Sequence, residues 1–414
     1  MPPQRGGGVE AYILIASKRH VALGHSVLIV DRKDTATDPD AEELDGVKIV
    51  RLKARRWDLS PLGKLPGFGG LSLLINGAVD QLSFGLAARS YLNRTDWADV
   101  ILVHDTIVGW VLAVLGRSWK DRVIYVSHSA RRFSHPRSLV DRVAVGLETE
   151  LVRRLRKGMF SVERAKEEVV QATGLSPDKI AVIPDNCAEL KFFSAASADP
   201  QEIIDKYQLQ DKVTVLFVGR IRENKGVDYL VRAADQIVNT FGHRDARFLL
   251  VGPVEDFGAN KYEVRSRYVE KVRHLIDSRG LQNHVKLLGE VPVSELGKLY
   301  AASHVFVLPS LYEASPKVVV EAMAFAKPVV VTRVGMLPQA VEDGYNGFLV
   351  RPRDVRQLTE KIRDLIEHPE ERARMAANAR KKAEEEFSWD KVAQRMIEAY
   401  YLLTRPRGEV AERS

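Results

Sequence analysis

Two glutamates eight positions apart, with a cluster of cations upstream, are the residues of this 414-residue chain best suited to chemistry. Glu313 and Glu321 stand in FVLPSLYEASPKVVVEAMAFAKPVVVT, residues 306–332. Glu321 lies among apolar neighbours, where a carboxylate is costly unless it accepts hydrogen bonds. Sugar hydroxyls are suitable donors, and two carboxylates on one loop–helix unit can grip two polyol groups. Capping of buried backbone, or an arginine partner, is the competing use of Glu321. Upstream, VTVLFVGRIRENKGVDYL (213–230) ends an apolar run at Gly219 and then carries Arg220, Arg222 and Lys225. Cations placed between a strand end and a helix start build a cradle for an anion such as a diphosphate. Plain solvated charge is the alternative there.

The first half offers weaker signals. Gly6-Gly7-Gly8-Val9-Glu10 precedes a helical stretch from Ala11 to about Leu23, and a glycine run lets backbone approach a ligand or simply turns the chain. His104 follows the apolar run Val100–Val103, and His128 follows Val123–Ser127. Asp38-Pro39-Asp40 is a D-x-D triplet, but it sits in an acidic loop rather than at the end of an apolar strand. With no Cys/His spacing of a zinc site either, no metal is expected.

The elements that must position these residues alternate in type. Strand-like runs are expected at Ser26–Asp31, Val47–Leu52, Val100–Val103, Val123–Ser127 and Ile180–Ile183 in the first half. In the second half they fall at Val213–Val218, Arg247–Val251, Val285–Leu288, Val305–Leu308 and Pro328–Thr332. Near-continuous apolar runs such as VTVLFV and PVVVT belong in parallel sheets covered on both faces. Helical stretches between them give an α/β fold. The expected architecture is two Rossmann-like domains with parallel sheets facing across a cleft, and loops at strand carboxyl ends hold the ligands of such sheets. The domain reading is 1–193, a linker region 194–211 opened by SAASADP, a second domain 212–387, and a terminal stretch 388–414 whose helix packs back on the first domain. Near the glutamates, Ser315 and Pro316 are expected to cap and open a helix reaching about Ala326.

The E-x7-E pair, the EAMA that follows from Glu321, KPVVVT, VGRIRENKGVDYL and VEDGYNGFLV (Val341–Val350) together resemble the retaining glycosyltransferases of family 4. The resemblance covers nearly the whole chain and is more specific in the second half. It implies a GT-B fold whose second domain binds a nucleotide-sugar donor, with no other cofactor. Carried over by position, Arg220 and Lys225 neutralise the donor diphosphate, Glu313 holds hydroxyls of the transferred sugar, and Glu321 holds those of the ribose. Gly7 and Gly8 stand for the loop that approaches donor phosphates. His128 resembles the histidine that meets the sugar near the reacting carbon, and His104 ranks second. Departures are Ala326 for a common glycine, Gly335-Met336 for a Gly-Gly pair, and Gln339 for a glutamate. The resemblance also implies a strand ahead of the glycine loop, so the sequence as given is expected to start downstream of the true start.

Composition bounds the partners. The single cysteine, Cys187, excludes an internal disulfide framework and fits a reducing cytoplasm. Net charge is +7 and pI about 9.3, which invites anionic partners. Lys48–Lys64 holds six cations against Asp58, and Arg117–Lys157 eleven against four acids. Trp57, Phe68 and several leucines accompany the first window, a pattern suited to an anionic membrane surface, a solvated face being the alternative. The longest apolar stretch, Val100–Gly116, is broken by His104 and Asp105, and Met1 leads into Pro2-Pro3 rather than a leader. The reading is therefore a cytoplasmic hexosyltransferase, peripheral at the inner membrane face, acting on a lipid-linked or glycan acceptor. A non-catalytic nucleotide-sugar binder uses the same residues. Nucleic acid is not expected, because aromatic residues are only 7% and do not interleave with the basic windows. A nicotinamide dehydrogenase lacks its G-x-G-x-x-G after a strand.

Overall fold

The structure is a computed structural model that describes residues 8–35, 37–55, 69–95, 97–115, 119–128, 139–189, 198–254, 267–313 and 315–404. The chain forms two compact units, Met1–Asp185 with Ala393–Ser414, and Asn186–Val392.

The first unit contains α1 (Gly8–Ala22), β1 (Leu28–Arg32), β2 (Ala41–Leu44), β3 (Val47–Leu52), α2 (Gly69–Thr95), β4 (Ile101–Val103), α3 (Thr106–Leu115), β5 (Val123–Val126), α4 (Leu139–Leu155), β6 (Gly158–Phe160), α5 (Glu163–Thr173) and β7 (Ile180–Val182). Its strands form two sheets, one ordered β1-β3-β2 and the other β4-β5-β6-β7. All pairings are parallel except β2 with β3. That antiparallel pair turns on Asp45 and Gly46, both at positive φ (50° and 80°). Two left-handed residues in a row are what a tight hairpin turn requires. The four residues of β5 are all buried, as expected of a parallel strand with both faces covered.

The second unit contains α6 (Gln201–Tyr207), β8 (Val213–Val218), α7 (Val227–Asp235), β9 (Ala246–Val251), α8 (Arg267–Ser278), β10 (Val285–Gly289), α9 (Val293–Ala302), β11 (Val305–Leu308), α10 (Lys317–Ala324), β12 (Val329–Thr332), α11 (Leu337–Ala340), β13 (Gly347–Val350), α12 (Val355–Glu367) and α13 (Pro369–Glu386). Helix α6 falls inside the 194–211 stretch read as a linker. One sheet runs β10-β9-β8-β11-β12-β13, and every pairing is parallel. This order builds outward from β8 in one direction and then reverses at β11, the doubly wound arrangement. The core of the sheet is mostly apolar, with Phe217, Phe248, Phe306 and Val330 fully buried and Thr214 and Thr332 buried beside them. The last helix, α14 (Trp389–Thr404), begins in the second unit and continues into the first. Within the first unit it meets α1, where Tyr12 Oη lies 3.7 Å from Met396 Sδ and the His20 and Tyr400 rings meet edge to face.

Two expectations fail locally. Helix α10 spans Lys317–Ala324, shorter than the expected 316–326, and Ser315 does not cap it. The Ser315 hydroxyl instead lies 3.2 Å from Met336 Sδ, and Pro316 occupies the cap position. The helix ends before Ala326 because that residue turns left-handed (φ 54°) to enter β12. The basic windows are also less uniformly solvated than their composition suggests. Arg51 is buried and paired with Glu42, and Lys157 is buried against the carbonyls of Asp121 and Leu403. Arg56, Trp57, Lys64 and Phe68 lie outside the described residues.

Candidate functional site

In a doubly wound sheet, neighbouring loops diverge where strand order reverses, and the carboxyl ends of the two central strands open a crevice. Here those strands are β8 and β11. The loop after β8 carries Arg220 and Lys225, and the loop after β11 carries Ser310 and Glu313. The two loops touch through backbone: the Leu311 N–H donates to the Asn224 carbonyl at 2.8 Å. Gly226 has φ 65°, and a Cβ there would sit 2.1 Å from the Pro309 carbonyl oxygen. Only glycine allows that approach.

The side chains meet as well. Lys225 Nζ donates to Glu313 Oε1 at 2.5 Å, and the Ser310 hydroxyl donates to the same oxygen at 2.7 Å. Glu313 is buried, with 6% of its surface exposed, while Arg220 beside the pair is exposed. Among the described residues no partner is assigned to Glu313 Oε2. Glu321, on α10, is half-buried and accepts from the Tyr300 hydroxyl through Oε2 at 3.0 Å. Burial raises its pKa above the ordinary carboxylate value, against the Tyr300 hydrogen bond and the Lys317 charge. Its Oε1 has no assigned partner among the described residues. Each glutamate thus has one oxygen fixed by the protein and one left over.

In the first unit, His104 and His128 come together at the carboxyl ends of β4 and β5. His104 Nδ1 and His128 Nε2 are 2.8 Å apart, and the rings stack with centroids at 5.1 Å. One proton serves that bond, so one ring donates and the other accepts. Burial, then the His128 charge, lowers the His104 pKa to about 3, and His104 is neutral at physiological pH. Asp185, just past β7, places Oδ2 3.7 Å from His128 Nδ1. Its Oδ1 is buried without a partner among the described residues. A cavity of about 10 Å³, the size of one water, is lined by His128, Asp185 and Tyr12. Tyr12 of α1 meets the His128 ring edge to face at 5.3 Å.

The structure therefore joins Arg220, Lys225 and Glu313 at one strand reversal, seats Glu321 on the adjoining helix, and pairs His104 with His128. Gly8 opens α1, and Gly7 lies outside the described residues. Asp185, Ser310 and Tyr300 were not singled out from sequence. Asp185 and Ser310 each stand just after an apolar strand, the same signal that marked the histidines, whereas Tyr300 lies in a helix and gives none. The D-x-D residues are occupied locally: Asp38 accepts from Thr35, and Asp40 pairs with Lys33. Among the described residues no group of three or more metal-binding side chains converges.

Comparison with known proteins places this geometry. Residues 199–382 match the family described as glycosyl transferases group 1, and residues 7–186 match the glycosyl transferase 4-like domain. Alpha-D-kanosaminyltransferase of Streptomyces kanamyceticus is 27% identical over 341 residues, covering 80% of this chain and 83% of the relative. D-inositol 3-phosphate glycosyltransferase of Xylanimonas cellulosilytica is 25% identical over 416 residues, covering 97% and 93%. The crystal structure of Anabaena HepE in complex with UDP-glucose shares the fold, with a TM-score of 0.67 at 20% identity over 95% of this chain and 96% of that one. Two matched domains, which together span residues 7–186 and 199–382, identify the chain as a glycosyltransferase of family 4 with the GT-B fold.

Proposed function

We propose that the protein is a retaining, metal-independent hexosyltransferase that takes its sugar from a nucleoside diphosphate donor. The observation that carries this reading is the Lys225–Glu313 contact at the β8/β11 reversal. It puts a cation for a diphosphate next to a carboxylate for sugar hydroxyls, which is the order of groups along a nucleotide sugar. When the glycosidic bond breaks, negative charge grows on the departing diphosphate. Arg220 and Lys225 stabilise that charge more than they stabilise the bound donor. Glu313 Oε2 accepts from the transferred sugar, and Glu321 Oε1 from the ribose. The acceptor oxygen attacks on the face from which the diphosphate leaves, and a donor phosphate oxygen takes the acceptor proton. On the family resemblance, His128, hydrogen-bonded to His104, is the histidine that meets the transferred sugar.

The UDP-glucose named for the Anabaena neighbour supports a uridine donor as the first to test. A lipid-linked or glycan hydroxyl is the proposed acceptor. The lipid reading is favoured by α4, where Val140, Val143 and Leu147 are 43%, 56% and 44% exposed on one helical face beside Arg142. No described helix is long and apolar enough to cross a membrane, and the proposal is a cytoplasmic, peripheral enzyme. The test is a thermal-shift panel of UDP-, GDP- and ADP-sugars, since a ligand that binds only the folded state raises its melting temperature. No shift with any nucleotide sugar at millimolar concentration overturns the reading.

A further inference from the structure

Asp185 follows β7, and its Oδ1 is buried without a partner among the described residues. Holding the donor gives this carboxylate no task. Its place is set by the sheet. The Ile183 N–H donates to the Phe160 carbonyl and the Ser127 N–H to the Met159 carbonyl, each at 2.9 Å. These bonds carry the β5-β6-β7 ladder past its strands, toward His128 on one side and Asp185 on the other. Strand β6, between them, is only three residues long. The water-sized cavity lies just past its end, lined by Ser161 as well as by His128 and Asp185. The end of β5 is also held from behind: the Ser127 hydroxyl donates to buried Glu148, which accepts from Tyr125 Oη at 3.0 Å.

A neutral imidazole has one donor nitrogen and one acceptor nitrogen, and what faces the first decides the second. A carboxylate opposite Nδ1 attracts a proton there and repels a lone pair. Asp185 Oδ2 lies 3.7 Å from His128 Nδ1, too far for a direct hydrogen bond but close for a charge. The adjoining cavity has room for one water to bridge them. With Nδ1 protonated, His128 Nε2 is an acceptor, so the 2.8 Å bond must come from the Nδ1–H of His104. His104 then has no proton on Nε2. That nitrogen has no assigned partner among the described residues, and His104 is half-buried. The order fixed at Asp185 thus runs through both rings to one outer acceptor.

We propose that Asp185 is a positioning residue that holds both histidines with their protons on Nδ1, so that the pair offers an acceptor, His104 Nε2, to a substrate hydroxyl. This rests on the hexosyltransferase reading for the identity of the substrate, and it passes the polar contact from His128 to its partner. An O–H fits such an atom, whereas a fluorine or an ether oxygen does not. The opposite order has His128 Nε2–H donating to His104 Nδ1, which makes His104 Nε2–H a donor. It also turns the lone pair of His128 Nδ1 toward the carboxylate, which disfavours it. An imidazole free in water prefers its proton on Nε2, so two Nδ1–H rings in one pair require a cause such as Asp185.

The test uses the whole chain with ¹⁵N in the rings of its ten histidines. At about pH 8, where an ordinary imidazole is neutral, two-bond ¹H–¹⁵N spectra without any ligand separate the tautomers. A ¹⁵N–¹⁵N coupling across the hydrogen bond marks the pair and identifies its donor nitrogen. Two Nδ1–H rings, with His104 as the donor, are expected. Asp185→Leu keeps the bulk and removes the charge. It is expected to switch both rings to Nε2–H and to cut kcat/KM for a nucleotide sugar by roughly tenfold or more. The parent spectrum alone decides the order of protons, whether or not the Asp185→Leu chain folds. An Nε2–H ring at either histidine, a doubly protonated His128, or Nδ1–H rings that persist in Asp185→Leu overturns the proposal. Donors with single hydroxyls replaced by fluorine are expected to lose more kcat/KM in the parent than in Asp185→Leu at one position. Equal losses at every position remove His104 Nε2 as the acceptor. The tautomers are read with no donor present, so their failure is distinct from a failure of the donor reading.

Discussion

Lys225 and Glu313 are 88 positions apart in sequence and 2.5 Å apart at Nζ and Oε1. The pair is held in register by a backbone bond between their loops, Leu311 to Asn224, so each charge is in place before a donor arrives. Fixing both groups in advance removes an ordering cost from binding. It also means that Glu313, buried and acceptor from Ser310 and Lys225 among the described residues, loses its adjacent counter-charge if the lysine is removed.

Removing the cation has two effects. Lys225→Ala is expected to weaken nucleoside diphosphate binding by about 10- to 100-fold, the equivalent of a charge-assisted hydrogen bond of roughly 1.5–3 kcal/mol. It also lowers stability, because Glu313 loses its counter-charge. Arg220→Ala, at an exposed side chain, is expected to weaken binding less and to leave stability unchanged. Calorimetric titration with UDP and thermal melts of both variants separate the two. Unchanged affinity in both would remove the donor site from this strand reversal.

Glu321→Gln is expected to move binding and stability in opposite directions. The folded pKa of Glu321 is raised, so its stabilising contribution is complete below the unfolded value near 4.5 and is lost as pH rises through the folded one. At neutral pH the buried charge is a burden that glutamine lacks, while the glutamine carbonyl still accepts from Tyr300. The variant should therefore melt higher than the parent at pH 7 and bind nucleotide about tenfold more weakly. Glu313→Gln should instead reduce kcat more than nucleotide affinity. A Glu321 variant that loses stability and keeps full affinity contradicts the assignment.

His104 gives the acid limb a recognisable component. Its folded pKa is about 3 against an ordinary 6.5, so its contribution is fully present above pH 6.5 and is lost as pH falls from there toward 3. His104→Gln is expected to be less sensitive to acid over that window than the parent. Urea unfolding of the two proteins between pH 4 and 7 measures the difference. Parallel curves would show that the ring is not buried against His128.

Ala326 holds φ 54°, a left-handed position where a Cβ is strained. Ala326→Gly is expected to stabilise the protein by about 0.5–1 kcal/mol, or roughly 1–4 °C. Differential scanning calorimetry decides the sign. The glycine lies at the α10–β12 junction, so donor binding should be unaffected.

The product is expected to keep the anomeric configuration of the donor, with activity intact in EDTA. Anomeric coupling constants settle the first, and an absolute requirement for added Mn²⁺ or Mg²⁺ would overturn the second.

Where burial writes itself into composition, the fold was legible. The runs Val213–Val218 and Val305–Leu308 form strands with the bounds expected of them, because parallel strands covered on both faces exclude polar residues; Val47–Leu52 keeps its bounds through alternation, with Val47 and Ile49 buried and Lys48 exposed. Strand β2 was missed because Ala41–Leu44 (AEEL) is exposed and acidic, although Asp45-Gly46 advertised its turn. Strand β6 is three residues long and opens on glycine, too short to show a period. Strand β13 was quoted within VEDGYNGFLV but not read as a strand, since glycine and two turns precede it. At the site, charged residues at strand ends were conspicuous. What sequence could not show was pairing: that Lys225 meets Glu313, that His104 bonds to His128, and that Arg51 and Lys157 turn inward. Those depend on contacts between residues distant in sequence, which no local pattern encodes.

The route of the chain sets an order of assembly. The first unit needs Ala393–Ser414, whose helix brings Met396 to Tyr12 and the Leu403 carbonyl to buried Lys157. Synthesis proceeds from the amino end, and domains ordinarily fold as they emerge. Here the unit made first lacks a piece of its wall until α14 has left the ribosome, by which time Asn186–Val392 has been made. The nascent amino-terminal half must wait with its apolar helix faces uncovered, so a truncation that removes α14 would injure the part of the molecule made first.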